Sequence, residues 1–290
     1  REVSLNKGRH VDAALKSKGY DVQVLDPNRD LSRFIQDLQD AKPDVVFNNL
    51  HGKWGEDGNV QGILNTLSIP YTHSGVYASA VGMDKCIAKD VARGYAVDVP
   101  EGVPVDNEKD IQQAISQWGV IVVKPCSEGS SIETTIIRDN DNRVHEIGQA
   151  ITAHEWDFMA EEYIKGKELT VAVLDGKAVN VTEIIAATDF FDYEAKYQNK
   201  QTRYVMPADI PKPFFDRALS NAETIYKALG CRGLARCDFR FDDEAGRLCF
   251  LEINTQPGLT AESIAPSQLV AAGISFEDLC AHLVESAKCD

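Results

Sequence analysis

The hydrophobic positions along the chain have the spacing of a helix in some segments and that of a strand in others. Near the start, apolar residues at helical spacing lead up to Gly19 and predict a helix. The segments 21–25 and 44–50 are short β-rich runs, and each predicts a strand. Alternating helices and strands are typical of a doubly wound α/β sheet, which normally begins with a strand. We therefore expect an N-terminal Rossmann-like domain whose first strand is missing from the sequence.

From about Ser79 the pattern changes. Residues 120–124 are an apolar run that predicts a strand, and a Ser/Gly-rich turn at 127–131 separates it from a β-branched run. Asp175-Gly176 stands between two apolar runs, which is a strong hairpin signal. Residues 237–254 predict a second hairpin near the end of the chain. Strands joined by turns therefore dominate the prediction for this part.

Composition and charge narrow the class of protein. The 290 residues are 43% hydrophobic, which is enough for compact lobes with hydrophobic cores. No stretch approaches the roughly 20 apolar residues that span a bilayer, and no basic-then-apolar leader opens the sequence, so we expect a cytoplasmic protein that is not bound to a membrane. A formal net charge of −15 disfavours nucleic acid as a partner. Seven scattered cysteines without a metal-type spacing are interpreted as reduced thiols.

The second hairpin carries the strongest chemical signal. A turn centred near Ala245 would place Asp238 directly opposite Glu252, and strand alternation puts Asn254 on the same face as Glu252. Such an all-oxygen set suits Mg²⁺ that bridges nucleotide phosphates. A solvated sheet face is the commoner explanation of exposed carboxylates. The apolar flanks 249–251 favour a buried strand instead, where unpaired carboxylates are costly.

Two lysines and a small loop are candidates for contact with phosphate. Lys85 and Lys124 each lie beside a turn or strand end, where an ammonium can bind phosphate oxygens. The loop 127–131 could fold amides and hydroxyls over phosphates, although it is neither a Walker A nor a G-x-G-x-x-G sequence. Taken singly, each lysine is more often a surface residue and such a loop more often a plain turn.

Two further segments could line a ligand pocket. Glu161 and Glu168 bracket the turn at Lys165-Gly166, and this segment could enclose an adenine and bind a ribose, although a charged surface turn is commoner. The loop that begins at His51 directly follows a predicted strand, at the edge of an α/β sheet where ligands bind. A structural role and a substrate contact are equally plausible for His51.

Six short motifs follow one another along the chain. In sequence order they are Arg1-Glu2-Val3-Ser4-Leu5; Leu50-His51-Gly52 with Gly55-Glu56-Asp57-Gly58 and Gln61-Gly62; Met83-Asp84-Lys85; Lys124-Pro125 with Glu128-Gly129-Ser130-Ser131; Asp192-Tyr193-Glu194-Ala195-Lys196-Tyr197; and Glu252-Ile253-Asn254-Thr255 with Pro257-Gly258. In this order they resemble the D-alanine–D-alanine ligases of the ATP-grasp superfamily over essentially the whole chain. Several also match related ATP-grasp enzymes, so they specify the fold more firmly than the substrate.

The resemblance implies an ATP-grasp fold of three lobes. These are the Rossmann-like domain (1–75), a central subdomain (76–160) and a C-terminal subdomain with the metal hairpin and a lid loop (161–290). Two Mg²⁺ ions, which Mn²⁺ could replace, would bind to Asp238, Glu252 and Asn254. ATP would lie between the last two lobes, held by Lys85, Lys124, Glu161, Tyr163, Ile164, Glu168 and Lys196.

The same resemblance implies sites for two D-alanine substrates. Glu2 would bind the ammonium of the first D-alanine with His51 nearby, while Ser263 and the Ile264 backbone would bind the carboxylate of the second. Arg236 and the Gly258 amide would stabilise the oxyanion. A closing contact of Ser130 and Tyr197 with Glu2 would fasten the serine loop and the lid loop, about 188–211, across the site.

The implied reaction is ATP-dependent synthesis of D-alanyl-D-alanine through an acyl phosphate, for peptidoglycan precursors, by a cytoplasmic homodimer. An intact Glu194-Ala195-Lys196-Tyr197 run favours the dipeptide, because family members that make the D-alanine–D-lactate ester carry a different loop there. A lid would protect the acyl phosphate from water.

Two departures from the family pattern keep alternatives open. Glu133 stands where a glycine commonly closes the serine loop, and His73 stands where a glycine usually follows Tyr-Thr. One alternative is an ATP-grasp ligase for another carboxylate and amine pair, because the metal and nucleotide motifs specify no side chain. The other is a catalytically impaired nucleotide-binding protein.

Overall fold

The N-terminal part of the molecule is mainly helical. A computed structural model of the chain describes residues 2–27, 30–128, 134–185 and 202–290. The first helix ends just before Gly19, whose φ of 89° an L side chain rarely adopts, as the hydrophobic spacing predicted. The helices of this part are α1 (Glu2–Ser17), α2 (Leu31–Ala41), α3 (Asn59–Thr66), α4 (Val76–Met83) and α5 (Lys85–Gly94).

The two strands predicted in this part were wrong as regular elements. Residues 21–25 and 44–50 form no strand, and within the second segment Val46 makes only an isolated parallel bridge to Tyr71. Residues of high β propensity form a strand only beside a hydrogen-bonded neighbour. Among the described residues, these segments have no such neighbour beyond that bridge. Its parallel sense is nevertheless that of a doubly wound sheet.

The first sheet is antiparallel, in the order β1-β4-β2-β3. Along β2, Ile121 and Val123 pack into a core with two helices, while Val122 and Lys124 point from the opposite face into a cavity. Side chains alternate across a strand, so one strand serves both the core and the cavity. The elements are β1 (Gly102–Val105), α6 (Glu108–Trp118), β2 (Val120–Pro125), β3 (Thr135–Arg138), α7 (Val144–Ala153) and β4 (Phe158–Glu162).

The second sheet is also antiparallel, in the order β7-β6-β5-β8-β9. Its first hairpin turns at Asp175 and Gly176, whose φ angles of 46° and 80° are those that a type I′ turn requires, so the predicted hairpin is confirmed. The elements are β5 (Lys167–Leu174), β6 (Lys177–Ile185), β7 (Arg203–Val205), α8 (Lys212–Ala228), β8 (Leu234–Asp242), β9 (Arg247–Asn254), α9 (Ile264–Ala271) and α10 (Phe276–Glu285).

Two hydrophobic cores cover the faces of the second sheet. One contains Leu169 and Phe239 with residues of α5 and α8. The other joins α1 to the C-terminal helices, where Leu15 packs with Leu234 and Leu279. Helix α1 therefore packs against the C-terminal helices α9 and α10. Within the described ranges, no helix has the length and hydropathy needed to cross a bilayer, and the seven cysteines are free thiols.

Candidate active site

A cavity of about 480 Å³ is enclosed by residues of both sheets. Every predicted site residue whose side chain the structure describes lines this cavity, although these residues are spread over much of the chain. They are His51, Lys85, Lys124, Glu161, Tyr163, Ile164, Glu168, Arg236, Asp238, Glu252, Asn254, Gly258, Ser263 and Ile264.

Four other predicted residues have no described side chain. Ser130, Lys196 and Tyr197 lie outside the described residues, and so do Glu133 and most of the proposed lid loop. The backbone of Glu2 starts α1, but its side chain is likewise outside the description. Their roles stay predictions.

A buried group of two lysines and a carboxylate forms one wall. Register places Val122 of β2 opposite Glu161 of β4, so that Lys124 and Glu161 project from the same face. The Lys124 Nζ lies 2.5 Å from Glu161 Oε1, and Lys89 of α5 donates to the other carboxylate oxygen. Burial alone would raise the pKa of Glu161, but Lys124 and Lys89 together hold it below its ordinary value.

Lys89 was missing from the predicted site residues. Its side chain is 1% exposed. Burial lowers the pKa of Lys89 to about 8, against the opposing effect of Glu161 and with the help of the Lys124 charge. Only the position of Lys89 four residues after Lys85 on one helix could have suggested that both face the site.

Helix α5 begins at Lys85, whose side chain lines the cavity. Asp84 caps the helix by accepting hydrogen bonds from the amides of Cys86 and Ile87, at 2.9 and 3.0 Å. The Lys85 amide donates to the Cys126 carbonyl at 2.9 Å, which joins the start of the helix to the end of β2. The Lys85 ammonium contacts the Glu128 carbonyl and lies 3.6 Å from Glu252. Lys85 therefore lies between Glu128 and Glu252.

An arginine organises the segment predicted to surround the adenine. Arg240 donates to the Ile164 carbonyl at 3.1 Å and to the Tyr163 hydroxyl at 3.2 Å, and it lies 3.5 Å from Glu168. Arg240 was missing from the predicted site residues, and only its position two residues after Asp238 on one strand could have suggested it. Only glycine fits at position 166 of the turn, for two reasons. Its φ is 88°, and a Cβ there would lie 2.1 Å from the Phe241 carbonyl oxygen.

The hairpin of β8 and β9 has the predicted register. Asp238 is paired directly with Glu252, and Arg236 with Asn254. Thr170 donates to Asp238 at 2.6 Å, and Arg236 contacts the same carboxylate at 2.8 and 2.9 Å. Among the described residues no group of three or more His, Cys, Asp and Glu side chains is close enough to hold a metal by itself. Two carboxylates and an amide match Mg²⁺ that also takes phosphate oxygens as ligands.

His51 joins the N-terminal part to the cavity. Its Nδ1 lies 3.3 Å from Glu56 Oε2, while its buried Nε2 has no hydrogen-bond partner in the described structure. Gln256 holds this loop from the other side, because its amide nitrogen donates to the Leu50 carbonyl and its oxygen accepts from Asn48. A buried ring nitrogen without a partner favours a substrate contact for His51.

The cavity ends at the N-terminus of α9. Ser263 has the extended backbone of an N-cap, but its hydroxyl makes no cap to its own helix. It is held instead by Thr260, whose amide donates to Ser263 Oγ at 3.2 Å. The helix therefore presents the amides of Ile264 and Ala265, which receive no cap from the Ser263 side chain, as anion sites do.

His73 stands where the family usually has a glycine, and its backbone conformation is one that glycine favours. His73 adopts a φ of 68°, a region that glycine occupies without cost. The ring is buried and packs edge-on against Phe47 at 5.7 Å between centroids. Burial lowers the pKa of His73 to about 3, so the imidazole is neutral.

Two antiparallel sheets that enclose lysines, buried carboxylates and an acid-and-amide hairpin define an ATP-grasp enzyme. The family model described as D-Ala D-Ala ligase C-terminus matches residues 96–285, and the one described as D-Ala D-Ala ligase N-terminus matches residues 26–74. The chain belongs to the D-alanine–D-alanine ligase family.

Relatives and solved structures agree with this assignment. The D-alanine–D-alanine ligase of Acidiphilium cryptum is 48% identical, over 100% of this chain and 95% of its own length. A crystal structure of D-alanine–D-alanine ligase from Bacillus anthracis complexed with ATP has a TM-score of 0.82 and 29% identity, covering 98% of this chain and 92% of that chain. VanG D-Ala:D-Ser ligase from Enterococcus faecalis has a TM-score of 0.73 and 34% identity, covering 83% and 72%.

Proposed function

We propose that this protein joins two D-alanine molecules to D-alanyl-D-alanine with ATP, as a step of peptidoglycan precursor synthesis. The observation that carries the proposal is the meeting, in one cavity, of the Asp238–Glu252 pair with Lys85 and Lys124. These residues can bind a nucleoside triphosphate together with its metal ion. The identity of the substrate is inferred from the family. ATP-dependent carboxylate–amine ligation is the activity of that family.

ATP is proposed to lie between the two sheets. The adenine would lie against Tyr163 and Ile164, and Glu168 would bind the ribose. Lys85, Lys124 and Lys196 would contact phosphates. Asp238, Glu252 and Asn254 would hold two Mg²⁺ ions, which Mn²⁺ could replace. The metal, when bound, neutralises phosphate charge and so assists phosphoryl transfer.

The two substrates are proposed to meet near Gly258. The carboxylate of the first D-alanine attacks the γ-phosphorus of ATP, which gives an acyl phosphate and ADP. The amine of the second D-alanine then attacks the acyl carbon, loses a proton and expels phosphate. Glu2 and His51 would orient the first substrate, and Arg236 with the Gly258 amide would stabilise the oxyanion.

Closure of the site is proposed to involve the residues outside the described structure. Ser130 and Tyr197 would contact Glu2, and the long loop would then exclude water from the acyl phosphate. By family resemblance the protein would act as a cytoplasmic homodimer.

Phosphate release tests the proposed function. Purified protein with ATP and Mg²⁺ should release phosphate when D-alanine is added, and mass spectrometry should detect D-alanyl-D-alanine. Phosphate release that is the same with and without D-alanine would contradict the proposal. Tight ATP binding by calorimetry without turnover would then indicate a nucleotide-binding protein that has lost catalysis.

A different acceptor is the second candidate. The likeness to a D-Ala:D-Ser ligase supports this candidate. A screen of amino acids as acceptors, with D-alanine as donor, distinguishes the two. D-Alanine should give the highest kcat/KM, and a preference for D-serine or another amine would favour the second candidate.

A further inference from the structure

Lys7 of α1 places an ammonium at the acceptor end of the cavity. Its side chain lines the cavity together with Gly258 and Ser263. A Cβ built on Gly258 would lie 2.7 Å from Lys7 Nζ and 3.4 Å from Ser263 Oγ. The ammonium is therefore close to the same backbone position as the Ser263 hydroxyl, although neither residue is near the other in sequence.

Lys7 brings a positive charge into a cavity that is also lined by the Glu56 carboxylate and the Arg236 guanidinium. Burial lowers the pKa of Lys7 to about 8, Glu56 opposes this shift, and Arg236 contributes to it. Lys7 is thus still mainly protonated at pH 7. Arg236 already contacts Asp238 at 2.8 Å, so its charge is partly matched.

The N-terminus of α9 is a second, independent indication of an anion at this place. Its first amides are not capped by the Ser263 side chain, and a helix N-terminus favours negative charge. An ammonium and a helix N-terminus that converge from α1 and α9 form a small site for a carboxylate.

We propose that the Lys7 ammonium binds the carboxylate of the second, accepting amino acid, and selects acceptors that carry a free carboxylate. This inference rests on the proposed function. An acceptor with a blocked carboxylate loses this ion pair and also brings a bulkier group against Gly258. The acceptor amine would be directed toward the acyl carbon because its carboxylate is held at the opposite end.

Initial rates of D-alanine-dependent phosphate release, measured over a wide range of D-alanine concentration, test the inference. They give separate Michaelis constants for the first and second D-alanine. Lys7→Met should raise the constant for the second D-alanine roughly tenfold to a hundredfold, which is the loss of one charged hydrogen bond. The constants for the first D-alanine and for ATP should stay nearly unchanged, and Lys7→Arg should restore most of the loss.

Lys16→Met is the matched control, because Lys16 lies on the same helix with its side chain 55% exposed and paired with Asp12. It should leave all three constants unchanged. An unchanged second constant in Lys7→Met would overturn the inference, and so would an equal rise of all three, which a displaced helix would cause.

A substrate change gives an independent measurement. With D-alanine amide as the acceptor, Lys7→Met and the unaltered protein should have similar acceptor constants, since no carboxylate is present. A defect of equal size with both acceptors would contradict carboxylate binding. Failure of the proposed function is distinguishable, because the unaltered protein would then release no D-alanine-dependent phosphate.

Discussion

Lys89 combines a charged side chain with complete burial. It shares the Glu161 carboxylate with Lys124, and the three side chains are 1%, 3% and 8% exposed for Lys89, Glu161 and Lys124. Two cations on one anion leave excess positive charge in the wall of the cavity. Lys124 lines that cavity, so the excess faces the place proposed for ATP phosphates.

Lys89→Met should destabilise the protein by about 1.5–3 kcal/mol, because Glu161 loses one of its two charged hydrogen bonds while Lys124 still pairs with it. Urea unfolding measures this change. Lys212→Met is the control, since Lys212 pairs with Asp216 on the surface and its side chain is 82% exposed. The control should show little change. Equal stability of the two variants would contradict a structural role for the Lys89 ion pair.

Low pH should weaken the stabilising interaction of Glu161 with Lys89 and Lys124. The pKa of Glu161 lies below its ordinary value of 4.5 in the folded protein. Its contribution to stability is therefore present above pH 4.5 and is lost as the pH falls through the lower, folded value. The difference in free energy of unfolding between the unaltered protein and Glu161→Gln should narrow from pH 7 toward pH 3. A constant difference over that range would exclude ionised Glu161 as its cause.

Glu252→Gln should abolish phosphate transfer while the fold is kept, because the change removes a metal-binding charge with little change of volume. Far-ultraviolet circular dichroism should be unchanged, and D-alanine-dependent phosphate release should fall at least a hundredfold. Turnover close to that of the unaltered protein would show that Glu252 is not a metal ligand.

Among the elements, α5 connects the fold to the site most directly. Its cap at Asp84 fixes the first turn, and the bond from the Lys85 amide to Cys126 fixes that turn against β2. Lys85 and Lys89 then reach the cavity region from one helix face. The position of both ammonium groups depends on this one helix start.

Asp84→Ala should lower the free energy of unfolding by about 1 kcal/mol, the usual cost of a lost cap, and should also raise the KM for ATP. The control is Asn107→Ala, because Asn107 caps α6 through the amides of Lys109 and Asp110 and does not line the cavity. It should cost similar stability and leave the KM for ATP unchanged. Equal KM values in both variants would show that the cap does not position Lys85.

At the scale of the whole molecule, Arg232 joins the end of the chain to its N-terminal part. It donates to the carbonyls of His73 and Lys288, both at 2.6 Å, and pairs with Asp290 at 3.0 Å. Burial would raise the pKa of Asp290, but the Val76 amide and its other donors hold it below its ordinary value. Residues 71–76 thus depend on the last residues of the chain.

Arg232→Ala should loosen this junction and lower the free energy of unfolding by about 1–3 kcal/mol. Hydrogen exchange should become faster in residues 71–76 and near residue 288, and it should stay the same in β2. Arg33→Ala serves as the control, since the Arg33 side chain is 71% exposed. Faster exchange throughout the chain would indicate general destabilisation, which is not the predicted outcome.

Local features of the fold and most of the site could be predicted from the sequence. The Asp175-Gly176 turn and the pairing of Asp238 with Glu252 follow from turn chemistry and strand alternation, which involve only neighbouring residues. Motif order then selected the family, and the predicted residues with described side chains meet in one cavity. These features are determined by the sequence because each depends on short separations or on a recognisable motif.

Long-range contacts decided the rest. The β-rich segments 21–25 and 44–50 form no strands, because strands need hydrogen-bonded neighbours that local pattern does not reveal. Lys89, Arg240 and Lys7 resemble ordinary surface residues until packing places them on Glu161, on the Ile164 carbonyl and beside Gly258. Burial and charge pairing across distant segments give such side chains their roles, and only the tertiary structure creates that burial.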